Sequence, residues 1–237
     1  MGWFSSLVHK IKNAVKAVVR VIRAVVRIIV KVVIEIVYRV INLLLFWLPI
    51  QKKMRIQVMI LRDEKGTPLI QPDDPDMQNA INAVIQTYKD KCNIKVIAYG
   101  RPVAQIIDKP APRAALNVGC SKAILNEFGE AGAYFADNLA GWNLIPISLG
   151  FPITLFVVRS ITDKIGCSLG PLSDYVTVSP VGARDAGFTM AHEIGHCCFL
   201  FHRSDRKNLM FPDSPRGNNV TGWQKFVIRG SRHCTFW

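Results

Sequence analysis

The chain has 237 residues, of which 50% are hydrophobic, and its formal net charge is +13. This length and composition suit one domain of ordinary size, or a domain plus an appendage. The charge is uneven, since residues 1–53 contribute +9 and residues 54–237 contribute +4. Attraction to an acidic partner can therefore be argued only for the first segment. The six cysteines include no C-x-x-C pair, which disfavours a zinc site built from four cysteines.

Residues 1–53 are predicted to form a long amphipathic helix. Between residues 8 and 50 the chain is mostly Val, Ile, Leu and Ala, and charged residues interrupt it at steps of three or four. On a helix these charges form a narrow, mainly basic stripe beside a wide apolar face. The stripe consists of Lys12, Lys16, Arg20, Arg23, Arg27, Lys31, Glu35 and Arg39.

The same segment favours contact with a membrane surface. Its longest uncharged run, residues 40–50, is too short to cross a bilayer, and no signal-peptide cleavage site follows it. Residues 28–50 could span a bilayer only if Lys31, Glu35 and Arg39 were paired, snorkelled or facing a polar interior. We favour residues 1–50 lying on an anionic membrane with the basic stripe at the headgroups, and the alternative is a helix packed on the domain itself or on a partner helix. Nucleic-acid binding is disfavoured, because the stripe has almost no interleaved aromatic residues or glycines. A membrane-associated, secreted or delivered protein is favoured over a plain cytoplasmic one.

Residues 54–237 are predicted to form a second, α/β domain. Residues 54–62 alternate as in a strand, residues 76–92 have the apolar spacing of a helix with Asp76 as its N-cap, and residues 93–99 form the next strand. Because a helical crossover joins these two strands, parallel pairing is expected.

The rest of the body is predicted to alternate loops with short elements. Residues 100–130 are expected to be irregular, apart from a short piece near Ala123. A short helix is expected at 129–139, buried strands at 152–160 and 175–179, and a loop at 166–174. Helices follow at 188–200 and 221–231, the last with Thr221 as N-cap and Gln224 completing a capping box. The cysteines permit up to three disulfides without indicating a pairing, and Cys197 and Cys198 are predicted to be small core residues.

Three of the five histidines fall within residues 192–202, whose sequence is HEIGHCCFLFH. His192 and His196 are four residues apart, so on a helix they share one face and supply half of a tetrahedral zinc site. Glu193 lies one step round the helix, where it can act as a general base without binding the metal. His202 would lie about 240° round a straight helix from His196. It can therefore join the site only if the helix ends between them.

The spacing H-E-x-x-H-x-x-x-x-x-H, followed by LMFP at residues 209–212, resembles that of the metzincin zinc endopeptidases. The eight-residue step from His202 to Met210 is similar to that of the matrixin branch. The resemblance implies that His192, His196 and His202 bind Zn²⁺, that Glu193 is the general base, and that Met210 forms the Met-turn beneath the site. It also implies a metzincin-like α/β (α+β) fold for residues 54–237, with a mixed twisted sheet, zinc helix, Met-turn and C-terminal helix.

One position departs from the metzincin pattern. The family has Gly three residues after the second histidine, where the helix ends in a left-handed turn, and this chain has Phe199. A bulky residue at positive φ is costly. The sequence therefore leaves open a turn that is built differently, or a third ligand other than His202, in which case Asp205 or Asp213 would replace it.

The favoured function is a zinc-dependent endopeptidase acting on a protein or peptide substrate, with specificity set near residues 172–180 and 213–220. One alternative is a membrane-active toxin or delivery protein, whose N-terminal helix is the effector or loading signal. A second alternative is a zinc-binding domain without catalysis.

Overall fold

A computed structural model describes residues 2–45, 48–120, 129–141, 150–170 and 172–236. The helices are α1 (Gly2–Leu45), α2 (Pro75–Cys92), α3 (Arg113–Leu116), α4 (Glu130–Asp137), α5 (Pro180–Ala183), α6 (Thr189–Cys197) and α7 (Gly222–Arg229). The strands are β1 (Lys52–Arg62), β2 (Ile94–Ala98), β3 (Ala104–Pro110), β4 (Asn117–Val118), β5 (Ile153–Val157), β6 (Ser160–Ile161), β7 (Gly166–Ser168), β8 (Tyr175–Val178) and β9 (Cys234–Thr235). This mixed α/β structure with a mostly parallel sheet and a long N-terminal helix agrees with the predicted class.

Strand β1 is the centre of a seven-stranded sheet. Its first half pairs with β2 and its second half with β3, both parallel. On its other edge β1 pairs with β5 in parallel and with β9 in antiparallel orientation, and the sheet continues through β8 to β7. The parallel pairing of β1 and β2 across α2 confirms the predicted strand–helix–strand unit.

The two faces of β1 serve two cores. Met54, Ile56, Val58 and Ile60 alternate along the strand, as the period of two requires, and join a buried cluster with α2, α6 and α7. A second cluster, which includes Leu61, packs on the opposite face with residues of α3 and α4. The candidate site therefore stands on a sheet that is covered on both sides.

Two predicted loops contain strands. Residues 104–110 form β3, which pairs with β1, so the prediction of an irregular 100–130 is wrong there. Residues 166–168 form β7, an antiparallel edge strand, within the predicted loop 166–174. Strand β3 has mixed exposure, which gives no clear alternation in the sequence, and β7 has only three residues, too few to show an alternation. The piece expected near Ala123 lies outside the described residues.

The helix caps were predicted in part. At α2 the N-cap is Asp74, not Asp76, because Pro75 occupies the first helical position and Asp74 accepts a hydrogen bond from the Met77 amide at 3.0 Å. At α7 the capping box of Thr221 and Gln224 is present as predicted.

The second half of α1 packs on the body through its polar stripe. Lys31, Glu35 and Asn42 are only 3%, 4% and 1% exposed. Lys31 Nζ lies 3.0 Å from Asp174 Oδ2. Arg232 donates hydrogen bonds to Asp174 Oδ1 at 2.6 Å and to Glu35 Oε2 at 3.2 Å. From Lys31 onward the stripe thus faces the protein itself and not headgroups, which for this half of the helix is the arrangement packed on its own domain.

This buried cluster is electrostatically balanced. Burial alone would raise the pKa of the Asp174 carboxyl, but the positive charges of Lys31 and Arg232 outweigh burial and hold that pKa well below its usual range. Asp174 is therefore ionised in the folded protein and fixes α1 to the start of β8. Among the residues that the structure describes, none of the helices combines the length and apolarity needed to cross a membrane.

The cysteines form one disulfide among the described residues. Cys120 is bonded to Cys167, with their Cα atoms 6.0 Å apart, so the bond ties β7 to the segment after β4. Cys197 and Cys198 are free and fully buried, which confirms the prediction that they are core residues.

Candidate metal centre

Two of the predicted ligands lie on α6. His192 and His196 are one turn apart on this helix, and their Nε2 atoms are 3.1 Å apart. The helix is shorter than the predicted 188–200. Phe188 precedes it with φ 72°, and Cys198 caps its C-terminus. The early end matters, because the chain must leave the helix axis to bring His202 back to the site.

Phe199 stands where the metzincin pattern has glycine, and it forms the left-handed turn at the end of the helix itself. Its φ is 70°, and Leu200 N donates to Gly195 O at 3.0 Å, which closes the helix end. The Phe199 ring lies 4.5 Å below the guanidinium carbon of Arg39 from α1. This cation–π contact comes from outside the local sequence and helps to offset the cost of the left-handed backbone.

The turn places His202 beside the other two histidines. Its Nε2 lies 3.1 Å from that of His196, and one ligand atom from each of the three residues falls within 4.8 Å of the others. The group that could hold a metal ion contains neither Asp205 nor Asp213. The Asp205 side chain instead accepts a hydrogen bond from Lys207 N in its own turn.

The protonation of two histidines can be read from their partners. His192 Nδ1 lies 2.9 Å from Leu209 O, and His196 Nδ1 lies 2.8 Å from Leu200 O. Because a carbonyl only accepts, both Nδ1 atoms are donors and both Nε2 atoms carry lone pairs. Two lone pairs facing each other at 3.1 Å are favourable only with a cation near them, so the donor set fits a metal ion.

Burial favours the neutral form of these rings. It lowers the pKa of His192 to about 3 and that of His196 to about 4, and it also lowers the pKa of the more exposed His202. Neutral imidazole is the form that binds metal. The three imidazole rings are therefore neutral at neutral pH and can bind a metal ion without first losing protons.

Met210 packs against helix α6. It is fully buried, and a Cβ placed on Gly195 would lie 2.6 Å from its Sδ, so the methionine occupies the space that this glycine leaves beside the helix. Asn208 holds the turn: its Oδ1 accepts from Met210 N at 2.9 Å and its amide pairs with that of Gln224 at 2.9 and 3.0 Å. The Met-turn role of Met210 stays a prediction, and its buried position against Gly195 of the histidine-bearing helix is compatible with it.

Glu193 enters the site from the same helix. Its side chain is buried, and burial raises the pKa of its carboxyl to about 7. The carboxylate lies against Gly166 of β7, where a Cβ would approach its Oε1 to 2.8 Å. Sequence reasoning missed this role of Gly166, because only the fold brings β7 beside α6.

An open cleft of about 670 Å³ contains the three histidines and Glu193. Its walls include residues 163–170, which contain β7, and residues 212–214 and 216 after the Met210 turn. Lys164 and Arg216 place positive charge close to Glu193. Of the two predicted specificity regions, 213–220 contributes to the cleft and 172–180 does not, since β8 is an inner strand and β7 forms the edge.

In comparisons with known proteins, no family model matches the chain and no curated protein is significantly similar to it.

Proposed function

We propose that the chain is a zinc-dependent endopeptidase that hydrolyses peptide bonds by activating water, with Glu193 as the general base. One observation carries the proposal: the Nε2 atoms of His192, His196 and His202 converge in an open cleft that also contains the Glu193 carboxylate. Three protein ligands leave one position of tetrahedral Zn²⁺ open, as in catalytic zinc sites and unlike closed structural ones.

The ligand set favours zinc over harder cations. Three imidazoles suit zinc, copper, iron and nickel, whereas magnesium and calcium prefer oxygen ligands. When bound, Zn²⁺ supplies Lewis acidity and lowers the pKa of water. The hydrogen bonds to Leu200 and Leu209 orient two of the rings for this task.

Glu193 carries the proton. It follows a proposed ligand directly in the sequence and lies in the cleft wall, so it can reach a water molecule in the cleft while leaving the histidines to the metal. It takes a proton from water and returns it to the leaving amine. The return step is needed because an amine is a poor leaving group until it is protonated.

The walls of the cleft favour a peptide as substrate. Strand β7 is the end of the sheet and lines the cleft, so an extended peptide can pair with its outer edge by main-chain hydrogen bonds. As part of the same proposal, residues 54–237 have a metzincin-like fold. The order of the elements along the chain, namely sheet, α6, Met210 turn and α7, supports it.

Glu193→Gln tests the mechanism. We expect the variant to retain zinc, measured by inductively coupled plasma mass spectrometry, and to lose roughly 10²–10⁴-fold in turnover of a proteome-derived peptide library. Glu130→Gln, at an exposed position of α4, is the matched control and should cleave normally. Full activity of Glu193→Gln would refute the mechanism. A zinc-loaded wild type that cleaves no library peptide would favour the metal-binding domain without catalysis.

A further inference from the structure

The outward face of α1 is entirely aliphatic over its second half. Every exposed residue between positions 24 and 45 is Val, Ile or Leu, whereas the polar residues Lys31, Glu35 and Asn42 point into the body. The exposed set is Val25, Val26, Ile29, Val30, Val32, Val33, Ile36, Val37, Val40, Leu43 and Leu44. This part of the helix is therefore polar on the inside and apolar on the outside.

The apolar face continues along the first half of the helix. Val8, Ile11, Val15, Val18 and Ile22 are each exposed and follow at steps of three or four, in register with Ile29 and Ile36. At 1.5 Å per residue the stripe from position 8 to 43 is about 50 Å long. Soluble proteins rarely leave an apolar surface of this extent uncovered.

The charges on the first half identify what covers the stripe. Lys12, Lys16 and Arg23 are exposed beside it, together with Lys10, and residues 1–34 contain no acidic residue. A second copy of the helix would bring like charges together, whereas anionic lipid headgroups would neutralise them. Aliphatic side chains flanked by cations are the pattern of a helix that lies in a membrane interface.

We propose that α1 seats this protein on an anionic lipid bilayer, with the aliphatic face in the acyl boundary and the first-half cations at the headgroups. In the second half of α1 the polar stripe contacts the protein body instead of headgroups. There Lys31 and Glu35 of the helix pair with Asp174 and Arg232 of the body. This cluster holds the body against the membrane-bound helix. The proposal does not depend on the proposed peptidase activity.

Vesicle co-sedimentation of the full chain tests the proposal. We expect binding to vesicles of phosphatidylcholine with phosphatidylserine, and much weaker binding to phosphatidylcholine alone. The double variant Val33→Glu/Ile36→Glu should bind anionic vesicles roughly tenfold less or weaker still. Val181→Glu adds one glutamate at an exposed valine of α5 (66% exposed), away from α1, and should bind as the wild type does.

A second variant, Val15→Glu/Ile22→Glu, changes only residues that are exposed in the first half of α1, so it leaves the packing of the body intact and should lose binding to the same degree. Truncation before residue 54 is a poorer test, because it removes Lys31 and Glu35 from Asp174 and Arg232. Unchanged vesicle binding by both double variants would overturn the proposal. So would equal binding to neutral and anionic vesicles. Light scattering that shows a vesicle-free dimer, converted to monomer by Val33→Glu/Ile36→Glu, would assign the face to a second copy instead.

Discussion

Replacing Gly166 by alanine should impair the proposed catalysis without disturbing the metal ligands. The new Cβ would lie 2.8 Å from Glu193 Oε1, 3.0 Å from Glu193 Cγ and 2.8 Å from Thr189 Cγ2. Optimal non-bonded separations between heavy atoms are about 3.5–4.0 Å, so the Glu193 side chain has to move by roughly 0.5–1 Å. None of the three histidines is among the closest atoms to this Cβ.

The size of the effect follows from that displacement. A misplacement of about 1 Å can cost 10²-fold in rate, so we expect the turnover of Gly166→Ala to fall by roughly 10–100-fold, or about 1.4–2.7 kcal/mol in activation free energy. Zinc affinity should remain near that of the wild type. Glu193→Gln combined with Gly166→Ala should be no slower than Glu193→Gln alone, because both changes act on one carboxylate.

The assay is steady-state cleavage of a fluorogenic peptide selected from the library, with zinc content measured on the same samples. Gly222→Ala is the matched control, since a Cβ there meets nothing within 4 Å. If Gly166→Ala cleaves within about twofold of the wild-type rate while holding zinc, the carboxylate position seen here is not the reactive one. If Gly166→Ala loses zinc, the claim that Gly166 acts on Glu193 and not on the histidine ligands is refuted.

Two further predictions concern the support of the site and the attachment of α1. Asn208→Leu leaves Gln224 and Met210 N without their partner, so it should lower the free energy of unfolding by about 2–4 kcal/mol and weaken zinc binding about 10–100-fold, measured by urea unfolding and competition with a chelator. An unaltered zinc affinity would contradict this role. Asp174→Asn should cost about 3–5 kcal/mol at neutral pH. Because the folded-state pKa of Asp174 is depressed, its stabilisation is present above the unfolded-state value near 4 and is lost as the pH falls towards the folded-state pKa. Urea unfolding should therefore show the wild type and Asp174→Asn converging below about pH 4, and a constant gap would refute the assignment.

Local signals in the sequence were enough for several parts of the structure. The alternation in β1, the spacing in α2 and the capping box of Thr221 each depend on neighbours within one element. The placement of His192, Glu193 and His196 on one helix is of the same kind, since a four-residue step on a helix fixes a shared face.

Contacts between distant residues account for what the sequence did not reveal. Strand β7 has three residues, and it is recognisable as a strand only through its pairing with β8. The disulfide between Cys120 and Cys167 joins positions 47 residues apart. The role of Gly166 depends on the position of Glu193 on another element, so no local pattern could indicate it.

The turn at Phe199, which positions His202, also depends on a contact between residues that are distant in the sequence. Local propensity argues against φ 70° for this residue, yet the turn forms and brings His202 to the other histidines. Its ring packs under Arg39, and Arg39 is ion-paired at 2.8 Å with Glu35. Helix α1 therefore contacts the turn that positions the third histidine.

The same helix links the proposed membrane surface to the proposed metal centre. Glu35 pairs with Arg39 above Phe199 and also accepts from Arg232, which holds Asp174 at the start of β8. Helix α1 therefore contacts both the turn after α6 and the residue before β8 through one set of charged side chains. Substitutions on the aliphatic face leave these charges in place. They should therefore weaken vesicle binding while preserving zinc content, whereas substitutions at Glu35 should disturb both the attachment of the helix and the turn at Phe199.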